Sequence, residues 1–298
     1  MTVPVVILLD GVLYAAVLFL VAAGLTLVYG VMRILNIAHG SLYALGAYAG
    51  TFLVVVYLRT GGPAPLMYLA LLLGAILAGA IVGPIVERLL LRPIYAREEV
   101  VQLLVTYSLF LILEDVMKLI WGVQPYYIAK PYAYLGTVSI VGVRYAWYQF
   151  LLIAVALATG VLVSLAIRGT RIGRMIIAVT ADREISATLG INVGRVYMLA
   201  FTAGAILAAL GGALVGPLIA VAPGISVEAI VLAFAVVVIG GLGSLEGAAL
   251  GALIVGITRA AAVQLFPEIE LATVYLIMVA VLLFRPRGLF GELEIRRI

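Results

Sequence analysis

The chain has 298 residues, is 66% hydrophobic and only 11% charged, and has a mean hydropathy of +1.29. A soluble domain carries about 25% charge, so a water-facing globular surface is excluded. Apolar runs of about 18 residues or more recur along the whole length, which predicts an all-α polytopic membrane protein within the lipid bilayer.

Apolar spans are predicted at about 5–29, 41–58, 66–86, 100–121, 146–167, 196–221, 229–243, 248–266 and 271–284. That gives about eight or nine transmembrane helices in a single transmembrane domain over 1–298. The spans at 229–243 and 271–284 are short, roughly 20 Å each at 1.5 Å per residue, so a broken or re-entrant segment is expected. The basic residues fall into three loops separated by even numbers of spans. Segment 87–99 holds three Arg, segment 168–195 five, and segment 285–298 four. The opposite loops hold Arg59, Lys130 and Arg144. The positive-inside rule therefore puts the three basic loops and the C-terminus in the cytoplasm. It also explains the pI near 9.3 better than a nucleic-acid partner does.

Glycine supplies 32 residues and clusters in two stretches. In Gly24–Gly50 an apolar helix is interrupted at Arg33, Asn36, His39 and Gly40. In Val236–Gly256 the interruption falls at Gly240, Gly241, Gly243, Glu246 and Gly247. Both contain Gly-Ser-Leu followed by Ala-Leu-Gly-Ala, which suggests an internal repeat. Broken helices at membrane depth are tolerated where they are buried in protein or line a cavity. Asn36, His39, Gly40, Gly240, Gly241, Gly243 and Gly247 are thus candidates for a translocation path. The competing reading is close helix packing, for which Gly46/Gly50, Gly79/Gly83, Gly212/Gly216 and Gly247/Gly251 have the right spacing. His39 is the sole imidazole and the chain has no Cys, so metal, thiol and triad chemistry lack partners. It serves either a hydrogen bond across the break or the path itself.

The longest outer loop, 122–145, holds a tyrosine-rich half and then Thr137–Val141 and Val143–Tyr145 around Gly142, which alternate like a small hairpin. It is either an aromatic belt with a connector or part of a docking surface. Glu114, Asp115 and Lys118 lie near the outer end of the fourth span, where Lys118 can pair at i+3 or i+4. Asp10 and Arg259 sit inside apolar runs and should face the bundle interior or each other's neighbourhood.

No Gly-x-x-x-x-Gly-Lys-Ser/Thr loop exists, so the chain has no ATP site of that kind. Within the basic loop 168–195, Thr180–Leu189 predicts a short helix, capped by Thr180 or Asp182 and ended by Gly190. Arg171–Phe201 resembles the cytoplasmic coupling segment of branched-chain amino acid ABC transporter permeases, the LivH/LivM group. Glu184, Ala187 and Gly190 are similar to a degenerate Glu-Ala-Ala…Gly docking loop. Gly24–Tyr48, Ile239–Ala252 and Leu282–Gly291 resemble further blocks of the family in the same order, and Asn36-x-x-His39-Gly40 favours the H-type subunit.

The resemblance implies the transmembrane permease subunit of an ABC importer in the plasma or inner membrane of a prokaryote, moving branched-chain amino acids, or related small amino acids or amides, into the cytoplasm. Its partners would be a second permease subunit, two cytoplasmic ATP-binding subunits and an extracytoplasmic substrate-binding protein. It implies ATPase coupling at Asp182, Arg183, Glu184, Ala187, Gly190, Ile191 and Asn192. No cofactor is expected in this chain, since ATP would be bound by the partner subunits. The alternative is a secondary, ion-coupled amino-acid carrier, which would need coupling-ion ligands. An intramembrane enzyme would need polar groups at depth beyond His39 and scattered acids.

Overall fold

The computed structural model describes residues 2–291. Arg296 and Arg297, two of the basic residues in the tail, lie outside them. The elements in order are α1 (Thr2–Met32), α2 (His39–Arg59), α3 (Met67–Val86), α4 (Glu99–Trp121), α5 (Lys130–Tyr134), β1 (Thr137–Ile140), β2 (Val143–Ala146), α6 (Trp147–Gly169), α7 (Arg171–Ala181), α8 (Arg183–Thr188), α9 (Val193–Val215), α10 (Ile225–Gly240), α11 (Leu245–Leu265) and α12 (Glu270–Phe284). Among the described residues, seven helices are long and apolar enough to cross a membrane, and α10 and the apolar part of α12 are shorter apolar helices.

The chain alternates between two faces. Gly30 of α1 meets Gly243, Arg168 pairs with Glu246, and the tail at Phe290 and Gly291 packs on Gly241. With Arg92 beside Gly194 at the start of α9, these contacts gather the ends that carry the Arg-rich segments on one basic face. On the opposite face Tyr126 and Val221 form a two-way backbone bridge, and the Tyr68 hydroxyl donates to Pro131 O. The small hairpin expected around Gly142 is there: β1 pairs antiparallel with β2, and Gly142 takes φ +81°.

In lipid, apolar surface alone does not drive helices together, so close packing must hold them. α9 is the central helix, buried along most of its length, and α1, α2 and α3 pack on it. The small residues lie at the crossings. A Cβ on Gly79 would stand 2.6 Å from Ile206 Cα, and one on Gly11 2.7 Å from Ile257 Cα. Cβ atoms on Gly46 and Gly212 would collide with the backbones of Ala209 and Tyr43. The four predicted glycine pairs therefore do serve packing. By contrast α6 buries only Tyr148, Leu152 and Ala156, and leaves Leu157, Val161, Leu162 and Leu165 exposed. Such apolar surface suits a lipid or subunit contact.

Two boundaries differ from the expected ones. The span expected to reach residue 221 stops at Val215, because Gly216 and Pro217 begin a turn that runs to Gly224. The basic segment 168–195 is mostly helical. Thr180 lies inside α7, so the cap of the following helix is Asp182 and not Thr180.

Candidate functional site

The first interruption is a true break. α1 ends with Arg33 in the left-handed region (φ +57°), its N–H donating to Tyr29 O at 2.8 Å. Residues 33–38 then run back beside α1, so that the His39 ring meets Val21, with Nε2 3.0 Å from Val21 O. Val21 lies eleven residues before Met32, about 16 Å back along the helix axis. Because a carbonyl only accepts, Nε2 is the donor, and the neutral ring leaves Nδ1 as a bare acceptor. Among the described residues Nδ1 has no hydrogen-bond partner, and neither has the side-chain amide of Asn36, although both residues are fully buried. A buried unpaired polar group costs about 1–3 kcal/mol. The segment is tied to α4, where the Thr106 hydroxyl donates to Leu35 O (3.3 Å) and the Ser41 hydroxyl to Phe110 O (3.1 Å). Gly40 lies against Ser226 and Ile230 in the early turns of α10.

The second interruption lies at the other end of α10, fourteen residues from Ser226, or about 21 Å. Gly241 (φ +107°) ends the helix, and Ser244 caps α11 by accepting from Gly247 N at 3.0 Å. Gly240 and Gly247 touch backbone to backbone. The tail closes the corner, with Leu289 N and Phe290 N donating to Ile239 O and Gly240 O, both at 2.9 Å. Gly240, Gly241, Gly243 and Gly247 thus form a packed corner on the basic face. The fold does not bring them to Asn36, His39 and Gly40.

A cavity of about 550 Å³ lies between α1, α2, α10, α11 and α12. Its polar residues are Asp10 and Tyr14 of α1, Tyr43 of α2, Glu228 of α10, Arg259 of α11 and Glu270 of α12. Asp10 and Arg259, the two charges read inside apolar runs, do share a neighbourhood. Arg259 Nη2 reaches Glu228 Oε1 at 3.3 Å and Glu270 Oε1 at 3.5 Å, and its guanidinium lies 4.2 Å from the centre of the Tyr14 ring. That stacking suits a cation over a π face. Leu13, Val17, Leu18, Ile225, Leu232 and Val263 make the wall apolar. On β2, burial and the neighbouring Asp10 carboxylate push the Tyr145 phenol up. Tyr43 stands one turn after His39 on α2, so the helix break underlies the cavity. Glu228 and Glu270 escaped sequence reading. Each sits in the first turn of an apolar helix, where an acid also reads as a partner for the helix dipole.

The Glu114 carboxylate, 8% exposed, accepts from the Ser226 hydroxyl and from Gly224 N (3.3 Å), pinning the start of α10 to α4. Lys118 pairs at i+3 with Asp115 (2.9 Å).

On the basic face α7 and α8 form a short two-helix projection. Asp182 caps α8, its Oδ1 accepting from Glu184 N and Ile185 N, both at 2.9 Å. Gly190 (φ +85°) ends it, with Gly190 N donating to Ala187 O and Ile191 N to Ser186 O. This is the paired bonding of a Schellman stop. Asn192 then caps α9 through Arg195 N at 3.0 Å. Arg183, Glu184 and Ala187 are exposed, and beside them Ile185 (53%) and Leu189 (76%) are large apolar side chains in the open.

A family model described as "Branched-chain amino acid transport system / permease component" matches residues 7–284. The chain belongs to that family. Within these ABC-importer permeases it is 30% identical to the high-affinity branched-chain amino acid transport system permease protein BraD of Pseudomonas aeruginosa, over 98% of this chain and 97% of that one. It is 30% identical to the corresponding LivH of Escherichia coli K12, over 97% and 96%. A probable branched-chain amino acid transport permease protein LivH of Methanocaldococcus jannaschii is 27% identical, over 96% and 92%. A solved structure, PsaBC from Streptococcus pneumoniae in complex with Fab, aligns with a TM-score of 0.49 at 13% identity, over 92% of this chain and 89% of that chain.

Proposed function

We propose that this permease imports branched-chain amino acids, working with a second permease subunit, two ATP-binding subunits on its basic face and a substrate-binding protein on the other. The family match supports the transport reading, and the relatives' names supply the substrate class. One observation carries the coupling: α8 is stopped at both ends by dedicated caps, yet presents Ile185 and Leu189 to the outside. A helix so defined, with uncovered apolar side chains beside Arg183 and Glu184, suits a cleft in a soluble partner. On this reading the basic face is cytoplasmic, as the twelve basic residues of its three segments suggest. ATP binding would move the docked α8 and shift the permease between two global states through that contact.

Glu184→Lys and Gly190→Pro test the docking. Both should insert in the membrane normally and abolish transport-coupled ATP hydrolysis. Proline fixes φ near −65°, whereas Gly190 stands at +85°. Full coupling in both variants would remove α8 from the contact.

An ion-coupled secondary carrier is the second reading, favoured by the acids around Arg259. It leaves the exposed face of α8 without a purpose.

A further inference from the structure

We infer that the cavity around Arg259 is a binding site in the permease itself for a free zwitterionic α-amino acid with an aliphatic side chain. The inference rests on the import reading and adds where in the membrane part the substrate is held.

The charges are arranged for both ends of a zwitterion. Arg259 has five N–H donors, and among the described residues only Nη2 is engaged, shared between Glu228 and Glu270 at 3.3 and 3.5 Å. Both contacts are longer than the usual charge-assisted bond, about 2.7–2.9 Å. The guanidinium therefore keeps donors for a ligand carboxylate, while Tyr14 holds its plane. Glu228 and Glu270 flank the guanidinium and Asp10 lines the same cavity, so three carboxylates share it with one guanidinium. The excess of acid calls for a cation. Among the described residues no three acids or imidazoles stand close enough to hold a metal ion, so a bound ammonium is the better complement. The rest of the wall is aliphatic and suits an aliphatic side chain. A volume of about 550 Å³ lies within the range of small-molecule pockets, roughly 300–1,000 Å³. The floor leads to the helix break, since Val21 lines the cavity and its carbonyl receives His39 Nε2.

The test uses the purified permease–ATPase complex without its binding protein and labelled L-leucine. The unmodified complex should bind leucine. Unlabelled leucine should compete, whereas leucinamide, which lacks the carboxylate, and N-acetylleucine, which lacks the ammonium, should compete at least tenfold less well. Arg259→Gln and Glu228→Gln should each weaken binding about tenfold or more. Ala229→Leu keeps every charge and fills the cavity, so it should weaken leucine more than alanine. It also keeps the test informative if the charge variants misfold. No leucine binding by the unmodified complex would overturn the site. So would equal competition by both derivatives, or wild-type affinity in Ala229→Leu. ATP-driven leucine uptake by the complete unmodified system is measured alongside. Its absence would count against the import reading. Its presence with any of the overturning results would count against the site alone.

Discussion

Asp182→Ala probes the proposed contact between α8 and an ATP-binding subunit. α8 has six residues, well below the length at which a helix holds by itself, so its caps decide how often it is formed. The Asp182 carboxylate satisfies two N–H groups, Glu184 N and Ile185 N, and replacing a capping Asp by Ala costs about 1 kcal/mol. At 1.4 kcal/mol per factor of ten, that is about a fivefold loss in the formed helix. The assay titrates reconstituted permease with purified ATP-binding subunits and follows stimulated ATP hydrolysis. The half-maximal concentration should rise about fivefold, with the maximal rate recovered at saturation. Asp182→Ser retains an oxygen acceptor and should stay close to the unmodified protein. An unchanged midpoint for the alanine variant, or a serine variant as impaired as alanine, would refute the reasoning.

Further outcomes follow from the packing and the break. Gly79→Val pushes a branched side chain onto the Ile206 backbone, an overpacking that costs about 1–3 kcal/mol, so the detergent-solubilised protein should melt earlier. A melting temperature equal to the parent's would contradict the α3–α9 contact. Asn36→Ala removes a buried side-chain amide that has no partner among the described residues, so melting should hold steady or rise while the transport rate falls. His39→Ala loses the bond to Val21 O and should also change transport more than assembly. A pure assembly defect in both would return the break to a structural role.

Much of the architecture was readable because membrane depth imposes a length and a polarity on each span. The small hairpin followed from Gly142 between alternating residues, and the short helix α8 from Asp182 and Gly190. What escaped was depth and direction. Hydropathy shows that a helix breaks between Arg33 and His39, but not that the chain doubles back to set His39 beside Val21. The two glycine-rich stretches look alike in sequence, yet they lie at opposite ends of α10. Gly240 and Gly247 are there for backbone contact, and small side chains alone cannot distinguish that from a pathway. Asp10 and Arg259 stood out because each is a charge in an apolar run. Glu228 and Glu270 sit where an acid is ordinary, at helix starts, and only the fold brings them to Arg259. Gly216 and Pro217 end α9 early, a stop hidden by the apolar residues that follow.

The central claim is that transport through this permease is driven by ATP hydrolysed on another subunit. It is tested most directly by labelled leucine uptake into proteoliposomes holding the permease, its partner permease and the ATP-binding subunits, with binding protein on the side of the substrate. Uptake should require ATP on the side of the basic face and should survive ionophores that collapse proton and sodium gradients. Uptake that proceeds without the ATP-binding subunits and stops when those gradients are dissipated would contradict it.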